Sequence, residues 1–375
     1  LSPSFQKLRQ KPPLRIALLG TRGIPANYGG FETFAEEISV RLVERGHQVT
    51  VYCRGKGADC EYRGVQLRHL PTIKHKYLDT IAHTGFSTID LLANRHDVAL
   101  YCNAANAVFT LWPRLMGTPT ALNVDGVERR RKKWNYAAKA WYLASEWMST
   151  WCCSTVITDA EKIREYYLER YGKDSTFIPY GAETGKVAGT DALEALGLEP
   201  GRYILYVSRL EPENNALMVR EAFERVRTDF KLALVGDAPY AAEYIRQVKK
   251  TADKRVVIPG AIYGAGYQQL QSNCAVYIQA TEVGGTHPAL IESMGRGCMV
   301  LYLNTLENAE VAADSGVAFS DGDDLVQKLQ DAADTTAEAR AVWGRRAMSR
   351  VEKLYSWNAV TDQYESLLQN LVSGR

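Results

Sequence analysis

The stretch Thr281-Glu-Val-Gly-Gly-Thr-His-Pro-Ala-Leu-Ile-Glu-Ser-Met-Gly295 decides how the chain is read. Before it, Ala275-Val-Tyr-Ile-Gln-Ala280 is short, apolar and partly β-branched, the pattern of a buried strand, and Cys298-Met-Val-Leu-Tyr-Leu303 after it reads the same way. Pro288 suits the first turn of a helix, where its missing N–H is not needed and its φ is already helical. Gly295 and Gly297 suit the end of that helix. The segment is a strand–turn–helix–strand unit, and its turn, Gly284-Gly285-Thr286-His287, sits at a helix N-terminus. Unpaired N–H groups and the positive end of the helix dipole favour a phosphate there, and glycines let a diphosphate approach the backbone. Glu292, one turn into the helix, is placed to accept hydrogen bonds from a ribose. An ordinary strand-to-helix turn fits the same residues equally well.

Length and composition bound the rest. The chain has 375 residues, enough for two domains with their own cores, and its 46% apolar and 23% charged residues are those of a globular protein. A net charge of +2 gives no global attraction to nucleic acid, so no nucleic-acid partner is expected. Seven cysteines, an odd number without metal-ligand spacing, indicate reduced thiols in a cytoplasmic protein and no metal site. No apolar run reaches the roughly 18 residues that a membrane span needs. Residues 1–14 have no apolar signal core and read as a flexible lead-in.

The first half alternates strands and helices. Arg15-Ile-Ala-Leu-Leu-Gly20 is a strand, followed by the glycine-rich loop Gly20-Thr-Arg-Gly-Ile-Pro-Ala-Asn-Tyr-Gly-Gly30. Phe31, Phe34, Ile38, Leu42 and Val43 then recur at helical spacing up to the stop signal Arg45-Gly46, before the strand Gln48-Val-Thr-Val-Tyr-Cys53. The loop lacks GxGxxG spacing and the second strand ends without a ribose-binding acid, so a dinucleotide site is not indicated. Residues just beyond the carboxyl ends of strands line the ligand crevice of an open α/β sheet. That places Asn103 and Asn106 after one strand and Asp125, with Gly126, after another; Asp125 also fits a turn or helix cap.

These residues resemble a known family. Gly-Gly-Thr-His-Pro-x-x-x-Glu292-Ser-Met is similar to the acidic sugar-nucleotide motif of GT-B glycosyltransferases of family 4, in which two glutamates are separated by seven residues. Here Gly284 holds the first glutamate position and Glu282 is the nearest acid. Arg209-Leu-Glu-Pro-Glu-Asn-Asn215 resembles the family's Arg-Leu-x-Pro-Glu-Lys-Asn, with Asn214 in the lysine position, and Phe177-Ile-Pro-Tyr-Gly181 resembles its Ile-Pro-Asn-Gly turn. The string from Gly20 to Thr33 is similar to the branch containing bacterial rhamnosyltransferases of cell-wall and O-antigen synthesis. The resemblance implies two Rossmann-like doubly wound domains facing a central cleft, an acceptor domain over 15–185 and a nucleotide-sugar domain over 186–345. A crossover helix over 346–375 returns to the first domain. Asp125, Arg209 and Glu282 are then the catalytic candidates. Gly29, Gly30, Arg209, Asn214, Tyr263, Gly284, Gly285, Thr286, His287 and Glu292 would bind the donor, and Tyr28, Glu32, Asn103, Asn106 and Asp125 the acceptor. No metal or cofactor is implied beyond a nucleotide-diphosphate sugar, with dTDP-rhamnose the favoured donor and a lipid-linked or oligosaccharide acceptor. A sugar-nucleotide epimerase and a non-catalytic assembly subunit stay open beside this reading.

Two further segments carry expectations. Arg129-Arg130-Arg131-Lys132-Lys133 precedes a helical segment from Trp134 to Trp151 that holds four of the chain's seven tryptophans. Trp134, Ala138, Trp141, Tyr142, Ser145 and Met148 share one face. Basic residues beside interfacial aromatics suit a helix lying on an anionic bilayer, which places the protein at the inner face of the cell membrane. A core helix after a solvated charge run is the other reading. Asp321-Gly-Asp-Asp324 contains a DxD, and its place between a strand and a helix reads as a turn and N-cap.

Overall fold

The computed structural model describes residues 12–26, 29–73, 75, 78–130, 135–238 and 240–374. Tyr28, Arg131, Lys132, Lys133 and Trp134 lie outside these residues, as does the side chain of Arg130. The first domain holds β1 (Arg15–Leu19), β2 (Gln48–Arg54), β3 (Glu61–Tyr62), β4 (Val65–Leu70), β5 (Val98–Cys102), β6 (Thr120–Asn123), β7 (Thr155–Thr158) and β8 (Thr176–Phe177). They form one sheet in the order β3-β4-β2-β1-β5-β6-β7-β8, parallel except for β3. The second domain holds β9 (Tyr203–Val207), β10 (Lys231–Val235), β11 (Val256–Gly260), β12 (Val276–Gln279), β13 (Met299–Leu303) and β14 (Val317–Phe319). Their order is β11-β10-β9-β12-β13-β14, all parallel. Parallel strands are covered by helices on both faces, which is why Val98–Cys102 and Val276–Gln279 are buried at every position.

In each sheet the strand order reverses beside the first strand, between β1 and β5 and between β9 and β12. The crevices beyond these reversals are where such sheets take ligands. The helix Pro288–Gly295 begins at Pro288 as read from the sequence, but it runs through Gly295. It stops at Gly297, where φ is +79° and the N–H donates to the Met294 carbonyl at 3.0 Å. Gly295 serves packing instead: a methyl group there would lie 2.3 Å from the Glu183 carbonyl oxygen.

The chain ends in two helices with different allegiances. Ala337–Leu354 buries Gly344, Ala347 and Val351 on the second domain, and a methyl on Gly344 would lie 1.9 Å from the Gly297 carbonyl oxygen. The chain then crosses at Tyr355, whose carbonyl accepts the Ala182 N–H at 2.8 Å, and Ser356 bridges to Ala182. Trp357–Ser373 returns to the first domain, with Trp357, Val360, Thr361, Tyr364 and Leu368 on its buried stripe. The Tyr364 ring lies 5.1 Å from that of Phe34, and its hydroxyl accepts from Asn123 Nδ2 at 2.8 Å. Glu365 holds Arg45 at 2.7 Å. These contacts form the expected GT-B architecture of two Rossmann-like domains and a returning C-terminal helix.

Candidate active site

The carboxyl ends of both sheets open onto one cleft of about 990 Å³, lined by both domains. From the first domain it receives Arg22, Gly29, Gly30, Glu32, Asn103, Asp125 and Asp159; from the second it receives Arg209, Asn214, Tyr263, Gly284–His287 and Glu292. Most of the residues singled out from the sequence therefore come together. Two do not. Glu282 is exposed outside the lining, where its Oε1 accepts from Asn215 Nδ2 at 3.1 Å, because the turn points its side chain away from the cleft. Asn106 is fully buried beneath the surface and donates to the Cys102 carbonyl at 2.7 Å, bracing the end of β5 instead of facing a ligand.

On the second domain, His287 is the N-cap of the helix Pro288–Gly295 and leads the glycine turn into it. Its Nδ1 lies 2.7 Å from Asn308 Oδ1. Asn308 Nδ2 donates to the carbonyls of Thr281 and Leu303, so its oxygen is the acceptor and His287 Nδ1 carries the hydrogen. Glu292 accepts from the Tyr267 hydroxyl at 2.6 Å and from the Tyr180 hydroxyl at 3.3 Å. Burial raises its pKa above the usual carboxyl value, and the two hydroxyls pull it back down. Gln271 Nε2 braces Tyr267 at 2.7 Å and Ser293 at 3.0 Å. Tyr180, in the position where the family turn has Asn, therefore links the first domain to the helix Pro288–Gly295; its ring also packs edge-on against Trp357 at 4.9 Å.

Among the described residues, cations in the cleft are few. The lining carries four arginines, of which Arg54 is held by Asp79 at 2.7 Å and Arg296 donates to the Gly185 carbonyl at 2.8 Å. Arg209 is held more loosely, 3.7 Å from Glu211, with its side chain 40% exposed. It is the better placed of these three to meet a diphosphate bidentately. Asn214 adds no charge: its Nδ2 donates to the Arg209 carbonyl at 2.6 Å, so it shapes the arginine's loop. Tyr263 is 57% exposed and caps the helix Gly264–Asn273.

On the first domain, Glu32 is buried and accepts the Arg22 N–H at 2.9 Å, while Glu36 accepts the Ala26 N–H at 2.6 Å. Glu32 thus grips the glycine-rich loop, and burial raises its pKa against the pull of that N–H. Gly30 lies against Pro288 of the opposite domain. Asn103 caps the turn after β5 by accepting the Ala105 N–H at 2.9 Å. Asp125 has φ +57°, and its N–H donates to Asn123 Oδ1 at 3.0 Å. The turn it forms with Gly126 sits directly on the glycine turn of the second domain: a methyl on Gly126 would lie 2.6 Å from both Gly284 C and Gly285 N.

The sequence reading missed Asp159. It follows β7 as Asp125 follows β6, so the strand-end signal that singled out Asp125 applied to it equally. Its Oδ2 accepts the Thr286 N–H at 3.0 Å and its carbonyl accepts the Thr286 hydroxyl, tying the two domains together. Burial and the neighbouring Asp125 push its carboxyl pKa well above the ordinary range, against the pull of the Thr286 N–H.

The aromatic helix Tyr136–Cys152 shows a different face from the one expected. Tyr142, Ser145, Glu146 and Ser149 are buried and Trp141 is half-buried, whereas Leu143, Trp147 and Trp151 are exposed. The Trp147 and Trp151 rings meet at 5.3 Å, and Trp112, Leu115 and Met116 are exposed around Arg114, which donates to the Trp151 carbonyl. Arg129 does not belong to that surface: it pairs with the buried Glu146 at 3.2 Å and donates to Tyr166 at 2.7 Å. No helix among the described residues is long and apolar enough to cross a membrane. Asp321 caps the helix Gly322–Asp334 by accepting from the Asp323 and Asp324 N–H groups, as read from the sequence.

Comparison with known proteins agrees with this geometry. Residues 28–186 match the family described as Glycosyltransferase Family 4, and residues 201–337 match Glycosyl transferases group 1. A curated relative from Campylobacter jejuni is 29% identical over 126 residues, 33% of each chain. It is named N-acetylgalactosamine-N,N'-diacetylbacillosaminyl-diphospho-undecaprenol 4-alpha-N-acetylgalactosaminyltransferase. The chain thus spans about a third of the length of that relative. HepE from Anabaena, solved with UDP and glucose, superposes with a TM-score of 0.79 at 14% identity over 95% of this chain and 100% of that one. Sucrose-phosphate synthase from Thermosynechococcus elongatus also gives 0.79, at 18% identity over 96% and 100%. WaaG, a glycosyltransferase of lipopolysaccharide biosynthesis, gives 0.72 at 16% identity over 96% and 100%.

Proposed function

We propose that this chain, which joins a segment matching Glycosyltransferase Family 4 to one matching Glycosyl transferases group 1 on a GT-B fold, is a glycosyltransferase that moves a sugar from a nucleotide diphosphate to a lipid-linked or growing glycan acceptor in surface polysaccharide synthesis. One observation carries the reading. The glycine turn Gly284–His287 at a helix N-terminus, Arg209 and Asp125 face one cleft between the domains. Negative charge develops on the leaving diphosphate as the glycosidic bond breaks. Arg209 and the turn's backbone amides other than that of Thr286, which Asp159 holds, stabilise that charge without a metal or other cofactor. Glu292, oriented by Tyr267 and Tyr180, holds the ribose, and Tyr263 lies beside the base. Asp125 orients the acceptor hydroxyl and takes its proton. Glu282 has no role in this scheme, since its side chain is turned toward Asn215. The family 4 resemblance supports retention of configuration at the transferred sugar.

The donor is a dTDP- or UDP-sugar. The loop from Gly20 to Thr33 favours rhamnose; the UDP in HepE and the name of the Campylobacter relative favour a UDP-sugar and a polyprenyl-diphosphate acceptor. Exposed Trp147, Trp151 and Leu143, on a helix that follows a basic run in the sequence, support docking on an anionic membrane. A thermal-shift panel of dTDP-rhamnose, UDP-glucose, UDP-N-acetylgalactosamine and GDP- and ADP-sugars, run without metal, tests the donor site. A ligand at a hundred times its dissociation constant stabilises the fold by about 2.7 kcal/mol. No shift with any donor overturns the reading, and donor turnover that does not depend on acceptor replaces it with epimerisation. Replacing Trp147 and Trp151 by Ser is expected to abolish binding to vesicles of anionic phospholipid; unchanged binding refutes the membrane surface.

A further inference from the structure

One residue that ties the domains together is a buried acid whose second oxygen has no hydrogen-bond donor among the described residues. Asp159 is 8% exposed, and its Oδ2 is taken by the Thr286 N–H. Oδ1 is buried and accepts from no group among the described residues. The glycine turn closes directly onto it, so that a methyl on Gly285 would lie 2.3 Å from Oδ1. The carboxyl beside it is that of Asp125. Two ionised carboxylates in contact, one of them buried, repel strongly, and one shared proton removes the repulsion. A proton on Oδ1 also gives the unpartnered oxygen something to do: it donates to the Asp125 carboxylate while Oδ2 goes on accepting from Thr286.

We propose that Asp159 is a positioning residue, a proton-dependent catch that holds the cleft closed and aims Asp125 by donating a hydrogen bond to it from Oδ1. The groups around it are consistent with this. Asp125 faces it from the turn after β6 and Tyr364 from the returning helix, and neither is a cation near neutrality. On its own helix, Glu161 and Lys162 follow, with Lys162 paired to Glu165 at 2.7 Å. Glu310 of the second domain accepts the N–H groups of Glu161 and Lys162 at 2.8 and 3.3 Å. His287 follows Thr286 in the turn. Burial and Asp125 both favour the protonated acid.

The sign follows from linkage. Closure takes up a proton, because the carboxyl holds it more tightly when buried beside Asp125 than when opened to water. The catch is therefore firmest at acid pH, weakens as pH rises above the ordinary carboxyl range, and is lost once Asp159 ionises in the closed form.

This inference rests on the glycosyltransfer reading only for its catalytic consequence, because closure is measurable without substrate. Small-angle scattering of the whole chain from about pH 5.5 to about pH 9.5 reads it. A compact chain of this length has a radius of gyration of about 21 Å, and the wild type is expected to expand by about 1 Å or more across that range. Asp159→Asn presents an amide N–H to Asp125 and an amide oxygen to Thr286 whatever the pH, so its radius is expected to stay constant and compact. Asp125→Asn removes the like charge and is expected to flatten the response as well, while Asp159→Ala is expected to be expanded throughout. A wild type without pH response, or an Asp159→Asn protein that responds as the wild type does, overturns the proposal. If transfer is found, the alkaline limb of its pH–rate profile is expected to move upward in Asp159→Asn. Failure of the donor panel with a normal scattering response would sink the functional reading and leave the catch standing.

Discussion

Substituting Gly126 by Ala isolates domain closure from folding. Gly126 does not occupy the left-handed region, so the new methyl strains no backbone; its obstacles are Gly284 C and Gly285 N of the other domain, each 2.6 Å away. Ordinary contact begins near 3.4 Å, and the two turns must part by roughly 0.8 Å. That stretches the Thr286 N–H to Asp159 contact from 3.0 Å to about 3.8 Å, beyond hydrogen-bonding range, and the Thr286 hydroxyl contact with it. Two buried hydrogen bonds lost at about 0.5–1.5 kcal/mol each cost about 1–3 kcal/mol of closure, a factor of about 5–150. The expected result is a fall of that size in kcat/KM, measured with the donor that the thermal-shift panel selects, with far-ultraviolet circular dichroism unchanged. A Gly126→Ala enzyme within twofold of wild type would refute the claim that this contact is made during turnover.

Other substitutions test separate parts of the structure. Arg209→Ala is expected to lower kcat/KM by about 10²–10³ through lost stabilisation of the leaving diphosphate, without changing the melting temperature; an effect on KM alone would make Arg209 a ground-state contact. Tyr364→Phe leaves Asn123 Nδ2, in a residue only 5% exposed, without its acceptor, and urea unfolding should show a loss of about 1–3 kcal/mol. His83 is fully buried with Nε2 donating to the Cys53 carbonyl at 3.1 Å, and burial pushes its pKa down to about 4 from 6.5. A depressed pKa on a base means that the stability it contributes is present above pH 6.5 and lost as pH falls toward 4, by about 1.4 kcal/mol per pH unit. His83→Gln is expected to flatten that part of the unfolding-versus-pH curve, and an unchanged slope would assign the acid sensitivity to other groups.

The parallel strands were legible because strands covered on both faces are unbroken apolar runs, as in Tyr203–Val207 and Met299–Leu303. The segment between Arg54 and Asp97 was not. β4 alternates buried and exposed positions near a sheet edge, and its Gln66 and Arg68 break the apolar run. The helix Asp79–Ala93 buries His83, Thr84, Ser87 and Thr88 with Leu91, so its inward face is mostly polar and carries no apolar stripe to read. Within the site, the glycine turn and Arg209 were legible through their place at strand ends. The outward turn of Glu282 and the inward ion pair of Arg129 were not, because each depends on a partner that only the fold supplies: Asn215 for one and Glu146 for the other. The same holds for the tryptophans of the helix Tyr136–Cys152. Helical spacing groups residues into faces, but which face turns inward is set by what the rest of the domain offers it.

The returning helix Trp357–Ser373 has a consequence for synthesis. The first domain cannot cover the apolar surface around Phe34 until a segment made after the whole second domain has emerged from the ribosome. Vectorial folding, in which an early domain is finished before a later one begins, is thereby denied to this chain. A nascent chain stopped anywhere before Trp357 leaves Phe34 uncovered and Asn123 without its Tyr364 partner, a state that chaperones and proteases recognise by its exposed apolar surface. The order of assembly makes the returning helix a proofreading step: only a chain translated past the second domain can complete the first.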